Sequence, residues 1–309
     1  MLKGKKVLIT GGNGFFGKHV VSKLNTYDLK DLYYPTSKQF DLTKKDEMYC
    51  MLESLRPDIV FHLAASVGGI EANLNNPAKF YFDNLIMGAN IIDLCHYFKV
   101  SKLVNWGTVC SYPKFIPVPF KEDNLWDGYP EDSNAAYGLA KKMMIVQSAA
   151  YRKQYGFNSI NLLPINMYGP GDNYDKKTSH VIPALIKKCV DAARLSLDEV
   201  IVWGDGLSTR EFMYVDDSAE ALILAAEKYN EPVPLNIGTG IETRIKDIAM
   251  LIARNTKFKG KITWDKAQPS GQPRRSLDIS KMNKCLDYTP RTSLEIGIIK
   301  TIEDYINRF

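Results

Sequence analysis

Lys6-Val7-Leu8-Ile9-Thr10-Gly11-Gly12-Asn13-Gly14-Phe15-Phe16-Gly17 is the stretch on which the fold is read. Its first five residues form a short apolar run, bounded by charge on one side and glycine on the other. That layout predicts a buried parallel strand. Apolar residues then recur at helical spacing, so a helix is predicted over 15–24. Between the two, Gly11, Gly14 and Gly17 are spaced G-x-x-G-x-x-G. Glycines there permit a tight turn, close approach of a pyrophosphate, and close packing of helix on strand. The helix N-terminus adds free N–H groups and the positive end of its dipole. Spaced glycines also mark ordinary turns. The position between a strand and a helix favours a dinucleotide loop, with Asn13, Phe15 and Phe16 as further candidate cofactor contacts.

Working outward, strand and helix alternate. Strands are predicted over 58–63, 102–106 and 159–163, and helices over 82–98 and 136–155. The implied fold class is α/β, a Rossmann-type doubly wound parallel sheet. After Pro164 the character changes. Tyr168-Gly169-Pro170-Gly171-Asp172 is rich in turn residues, and mixed helices and short strands follow, among them 200–203 and 211–215. The segment 235–238 reads as a strand returning to the first sheet. The expected organisation is a dinucleotide-binding domain over 1–165 plus about 216–240. A smaller α/β substrate domain covers about 166–215 plus 241–309.

Composition narrows the classes. Of 309 residues, 45% are hydrophobic and 24% charged, an ordinary globular balance. The net charge of +5 is spread along the chain and suits an anionic, phosphate-bearing ligand. No basic stretch alternates with aromatics, so no nucleic-acid partner is expected. No apolar run reaches the ~18 residues of a membrane span, and no signal peptide is read at the N-terminus. The five cysteines, Cys50, Cys95, Cys110, Cys189 and Cys285, are odd in number and contain no C-x-x-C pair. Neither a metal site nor a disulfide framework is expected, and a reducing, cytoplasmic location is.

An acidic residue ending the strand after the glycine loop would grip the ribose 2′-hydroxyl of NAD. The region 32–38 carries none, whereas Ser37 and Lys38 can hold a 2′-phosphate. NADP is therefore favoured, although Lys38 also reads as an ordinary surface lysine. Tyr137 and Lys141 stand four apart on one helix face. Thr108 follows the strand ending at Trp106, where ligands bind in open α/β sheets. In this reading Lys141 lowers the Tyr137 phenol pKa, and Tyr137 protonates a carbonyl oxygen as hydride reaches the carbon. Thr108 hydrogen-bonds the same oxygen. A Tyr-x-x-x-Lys pair on its own is common as a packing or salt-bridge pair.

Together the glycine loop, Asp41-Leu42, Leu63-Ala64-Ala65, Asn84, Thr108, Tyr137-x-x-x-Lys141 and Pro164-Ile165-Asn166 resemble the extended short-chain dehydrogenase/reductase family over nearly the whole chain. The resemblance implies cofactor in the larger domain and a nucleotide sugar in the smaller. It also implies a homodimer built on the 82–98 and 136–155 helices. Asp41, Leu42, Leu63, Ala64, Ala65, Pro164, Asn166 and His180 join the cofactor contacts by the same resemblance.

Longer stretches resemble the GDP-L-fucose synthase family in particular: VGGI (67–70), CSYPK (110–114), NMYGP (166–170), SHVIPA (179–184), VWGDG (202–206) and REFMYVDD (210–217). That family epimerises C3 and C5 of a GDP-4-keto-6-deoxy sugar and then reduces C4 with NADPH. The resemblance makes Cys110 the base and His180 the acid of epimerisation. It places Asn166, Lys188, Trp203, Arg210, Arg274 and Arg275 on the nucleotide sugar. A cysteine base needs surroundings that favour its thiolate, and cationic side chains neutralise a diphosphate. The bland alternatives are a small buried cysteine, a structural histidine and, for Arg210, a domain-interface ion pair.

The chain departs from the family pattern in four places. Val109 stands where Ser is usual, Thr108 replaces Ser, 134–140 replaces the usual segment around Tyr137, and Ser37-Lys38 lies near the usual NADP-binding Arg. These departures bear on the sugar more than on the reduction. A C4-reductase without epimerisation, acting on a related GDP-4-keto sugar such as a heptose, is one alternative. A 4,6-dehydratase would carry Asp-Glu directly after Thr108, where Val109-Cys110 stand. A 4-epimerase would retain NAD without net consumption. A non-catalytic NADP-binding sensor is the alternative from another class; the joint presence of Thr108, Tyr137 and Lys141 argues against it.

Overall fold

The computed structural model describes residues 2–175, 178–267 and 272–309. In chain order the first half contains β1 (Lys6–Thr10), α1 (Phe15–Leu24), β2 (Asp31–Tyr33), α2 (Lys45–Leu55), β3 (Ile59–His62), α3 (Ile70–Asn75), α4 (Pro77–Tyr97), β4 (Lys102–Trp106), α5 (Ala135–Tyr155) and β5 (Ser159–Pro164). There follow β6 (Asn166–Tyr168), α6 (Val181–Arg194), β7 (Glu199–Trp203), β8 (Thr209–Tyr214), α7 (Val215–Lys228), β9 (Leu235–Ile237), β10 (Glu242–Arg244), α8 (Ile245–Asn255), β11 (Lys261–Asp265), β12 (Arg274–Arg275), α9 (Ser280–Leu286) and α10 (Leu294–Arg308).

Six parallel strands form the main sheet, in the order β2-β1-β3-β4-β5-β9. Successive side chains on a strand point to opposite faces. Val7 and Ile9 of β1, Ile59 and Phe61 of β3, and Val104 of β4 accordingly pack with α1 and α7. Leu8, Val60 and Leu103, one residue out of phase, pack with α2, α4 and α5. Both faces are covered, which explains why these strands read as unbroken apolar runs rather than alternating ones. From β1 the chain goes outward to β2 and then back across to β3. The order reverses there, and a crevice opens beyond the C-terminal ends of the strands.

A separate apolar cluster joins α6, α8 and α10 to β7 and β8, through Ile186, Ile248, Ile302, Val202 and Phe212. Strands β6, β8, β10 and β12 form a small mixed sheet beside the main one. The strand after the glycine loop is shorter than those around it: β2 spans three half-buried residues at the sheet edge. Helix α4 begins at Pro77, five residues before the start read from sequence. Proline suits the first turn, where its missing N–H has no intrahelical acceptor to lose. Among the described residues no helix is long and apolar enough to cross a membrane.

His19 of α1 ties that helix to α7 and to the turn after β6. Its Nδ1 lies 2.6 Å from Asp216 Oδ1 on α7, and its Nε2 lies 2.8 Å from the Pro170 carbonyl oxygen. Both partners are acceptors, so only the imidazolium satisfies both. Burial pulls the pKa down, but the Asp216 and Pro170 hydrogen bonds outweigh it and the net shift is upward. A raised folded-state pKa contributes stability that is complete below the unfolded value of about 6.5 and is lost as pH rises through the folded value. In urea unfolding, wild type should therefore exceed His19→Gln by more at pH 6 than at pH 8.5. A difference that does not change with pH would show that the imidazolium is not the stabilising form.

Candidate active site

The glycine loop sits in the crevice because its backbone has no room for side chains. Gly11 has φ +74°, and a Cβ on it would lie 2.8 Å from the Ala64 backbone nitrogen. A Cβ on Gly17 would overlap the Gly11 carbonyl oxygen, so α1 packs directly on the turn. No side chain caps α1 at Gly14, which leaves its first N–H groups to the crevice. This cradle fits a pyrophosphate. Gly11, Asn13, Gly14, Phe15, Phe16 and Gly17 all line one cleft of ≈ 1620 Å³, together with Leu63, Ala64, Ala65 and Pro164.

At the edge of the sheet the chain leaves β2 with no carboxylate at its end. Ser37 lines the cleft, and its neighbour Lys38 is exposed. Both residues belong to the exposed turn over 37–39. Asp41 and Leu42 line the cleft as well. The Asp41 carboxylate is already engaged, accepting from Thr43 N at 3.0 Å and Thr43 Oγ1 at 2.7 Å.

Thr108 comes off the end of β4, where its Oγ1 accepts from Cys110 N at 3.1 Å and caps the turn over Val109–Ser111. Helix α5 packs against that turn at Gly138, where a Cβ would overlap the Cys110 carbonyl oxygen. The Ser111 hydroxyl donates to the Gly138 carbonyl at 3.0 Å. This contact brings Tyr137 beside Thr108 and Cys110. Lys141, one turn on, lies beneath the cleft, where Nζ donates to the carbonyls of Trp106 at 3.2 Å and Ala64 at 3.4 Å.

Burial dominates the electrostatics of this group of side chains. Burial pushes the Tyr137 phenol up, the Cys110 sulfur adds to this, and the Thr108 hydroxyl opposes it. The Lys141 ammonium is taken up by the two carbonyls, and burial lowers its pKa to about 8. The lysine thus ties together the floor of the cleft one helical turn from Tyr137.

The far wall carries the other candidates. His180 stands at the N-terminus of α6, lining the cleft and accessible from it, and desolvation by the surrounding protein lowers the imidazole pKa. Asn166 donates to the Glu211 carbonyl at 3.1 Å. Lys188 reaches the Ile201 carbonyl at 2.8 Å, and Trp203 leaves 46% of its surface accessible within the cleft. Arg210 also lines it, its pKa lowered to about 10 by burial, with Arg275 adding to the effect. Arg274 does not line the cleft. Strand alternation on β12 turns it outward, where it pairs with Glu242 at 2.6 Å, and turns Arg275 inward. The substrate-binding expectation for Arg274 is corrected accordingly.

Three groups escaped the sequence reading. Glu211, fully buried, accepts from Thr239 N, Gly240 N, Ser276 Oγ and Leu277 N, clamping two loops behind Arg210 and Arg275. His62, also fully buried, lies 2.8 Å from Thr10 Oγ1 at the base of the glycine loop. Gln272 accepts from Arg275 Nε at 3.2 Å. A carboxylate or an imidazole inside an otherwise apolar run was the available signal; neither has a partner nearby in sequence.

A Rossmann-type sheet with a glycine cradle and a Thr–Tyr–Lys set at its carboxyl edge defines a dinucleotide-dependent enzyme of the extended reductase and epimerase class. The chain belongs to the NAD dependent epimerase/dehydratase family, whose family model matches residues 7–238. It is 38% identical to a GDP-L-fucose synthase of Sinorhizobium fredii over 307 residues, covering 99% of this chain and 97% of that protein. Among solved structures, a GDP-6-OMe-4-keto-L-xylo-heptose reductase from C. jejuni superposes with a TM-score of 0.94 at 27% identity, covering 100% of this chain and 99% of that one. MlghC, a GDP-mannoheptose C4 reductase from Campylobacter jejuni with NADP bound, gives 0.90 at 28% identity, covering 99% of each chain.

Proposed function

We propose that this protein reduces the C4 keto group of a GDP-linked 4-keto sugar with NADPH, after epimerisation at C3 and C5 as in a GDP-L-fucose synthase. The observation that carries the reading is the meeting of Thr108, Tyr137 and Cys110 in the same cleft as the glycine cradle. Gly11 to Gly17 hold the pyrophosphate, and Ser37 faces the 2′-phosphate. When bound, NADPH supplies the hydride. Tyr137 and Thr108 hold the carbonyl oxygen, and Tyr137 delivers the proton as that oxygen becomes an alkoxide. Lys188 and Arg210 meet the diphosphate, and Trp203 the nucleotide.

For epimerisation, the Cys110 thiolate takes the proton from the carbon beside the ketone. An S–H bond forms, the C–H bond breaks, and the electron pair moves to the carbonyl oxygen as an enolate. His180, in its protonated form, returns a proton from the opposite face, and exchange with water restores both groups. Incubation with NADPH and GDP-4-keto sugars in heavy water, read by NMR, tests the sequence of steps. Deuterium should enter C3 and C5 with wild type. With Cys110→Ser that incorporation should fall by a factor of about 10² or more, while C4 reduction of a pre-epimerised substrate persists. Wild type that oxidises no NADPH with any such sugar would end the reductase reading.

A C4-reductase without epimerisation is the second reading, favoured by the likeness to heptose C4 reductase structures. It requires NADPH oxidation with no deuterium at C3 or C5. Dimerisation through α4 and α5 belongs to the first reading and is supported by Phe82 and Val146, exposed on those helices. A cytoplasmic setting is supported by the five free cysteines.

A further inference from the structure

Arg275 was expected to bind diphosphate, but its surroundings point elsewhere. The side chain is buried, and Nη1 lies 3.5 Å from Cys110 Sγ. The guanidinium is fixed rather than free to swing. Nε donates to Gln272 Oε1 at 3.2 Å, and Gln272 in turn donates to the Lys114 carbonyl at 2.8 Å. The next two residues, Ser276 and Leu277, are each held 2.8 Å from the Glu211 carboxylate. Among the described residues no carboxylate forms a salt bridge with Arg275, whereas its neighbour Arg274 pairs with Glu242 outside the cleft. Register on β8 places Arg210 directly beside Arg275, so a second guanidinium faces the same region.

We infer that Arg275 is a positioning residue for Cys110: it donates to the sulfur and stabilises the thiolate that removes the proton beside the ketone. This rests on the epimerase reading for its purpose, though not for its chemistry. A guanidinium is a donor only. Its hydrogen bond to a neutral thiol is weak, and that to a thiolate is charge-assisted and strong. An arginine held on sulfur therefore favours the anion, and because it is not a proton donor at working pH it leaves the abstracted proton on Cys110.

The test is iodoacetamide alkylation of the full-length protein at pH 7, resolved by cysteine with peptide mass spectrometry. Arg275→Met should slow alkylation of Cys110 by about ten-fold. Arg275→Lys should restore most of the rate, and Gln272→Leu, which unties the guanidinium without removing its charge, should fall between. Cys50 and Cys285 should react equally in all variants, which shows that the fold is kept, and Arg274→Met should change nothing. Deuterium entry at C3 and C5 should fall in parallel, while the Kd for GDP stays within about two-fold. An unchanged Cys110 rate in Arg275→Met overturns the inference. So does that result accompanied by loss of GDP affinity, which would make Arg275 a phosphate ligand. Slower alkylation in a protein whose wild type exchanges no deuterium upholds the thiolate contact and removes the epimerase reading instead.

Discussion

Replacing Tyr137 with Phe should lower NADPH oxidation with a GDP-4-keto sugar by roughly 10²- to 10⁴-fold, the usual worth of a placed general acid. The change removes one oxygen and leaves the ring. That ring is 8% exposed and seated on α5, so its packing is kept. Loss of the hydroxyl frees no buried backbone group: its neighbour is the Thr108 hydroxyl, which already accepts from Cys110 N. Thermal stability should therefore stay close to wild type, and NADPH affinity, measured by fluorescence titration, should change by no more than a few-fold. The alkoxide formed at C4 would lack its proton source, so kcat should carry the loss rather than KM. A variant that still turns over at the wild-type rate would mean that Tyr137 is not the acid. If it also kept its full biological role, the sensor reading would take precedence.

Glu211→Ala should be the most destabilising of these changes. The carboxylate is fully buried and is the acceptor for Thr239 N, Gly240 N, Ser276 Oγ and Leu277 N. Alanine leaves three backbone N–H groups and a hydroxyl without it, and an orphaned buried donor costs about 1–3 kcal/mol. Allowing for water entering the space, a loss of at least about 4 kcal/mol is expected, or roughly 6 °C in Tm for a chain of this size. Glu211→Gln should also destabilise. Its amide nitrogen would face backbone donors on one side, and neither Leu277 N–H nor Gly240 N–H can turn away. Circular dichroism during heating measures both variants. A fall in Tm under about 3 °C for the alanine variant would show that the loops hold without the clamp.

The legible part of the molecule was local. The run from Lys6 to Gly17 contains strand, turn and helix start within a dozen residues, and each has its own signal. The i, i+4 spacing of Tyr137 and Lys141 puts both on one side of α5 whatever surrounds them. Helices α2 and α3 were not read, and β2 is a three-residue edge strand too short for a period to register. Residue type and motif alone point Arg274 into the cleft. In the fold its side chain is drawn away by Glu242.

By itself, the sequence determined that the chain would build a parallel sheet with a phosphate cradle at its first turn. It also put a hydroxyl, a phenol and an amine in the order a carbonyl reductase needs. Those properties depend on neighbours within one strand or one helical turn. Tertiary structure decided which way each side chain faces and what it meets. It put Arg275 on Cys110 across 165 positions, and Glu211 on loops 28 and 66 positions away. It also spent the Lys141 charge on two backbone carbonyls. Such contacts depend on strand register and on burial, and burial makes an unpartnered donor or charge costly. Neither register nor burial is encoded in any single stretch of the chain.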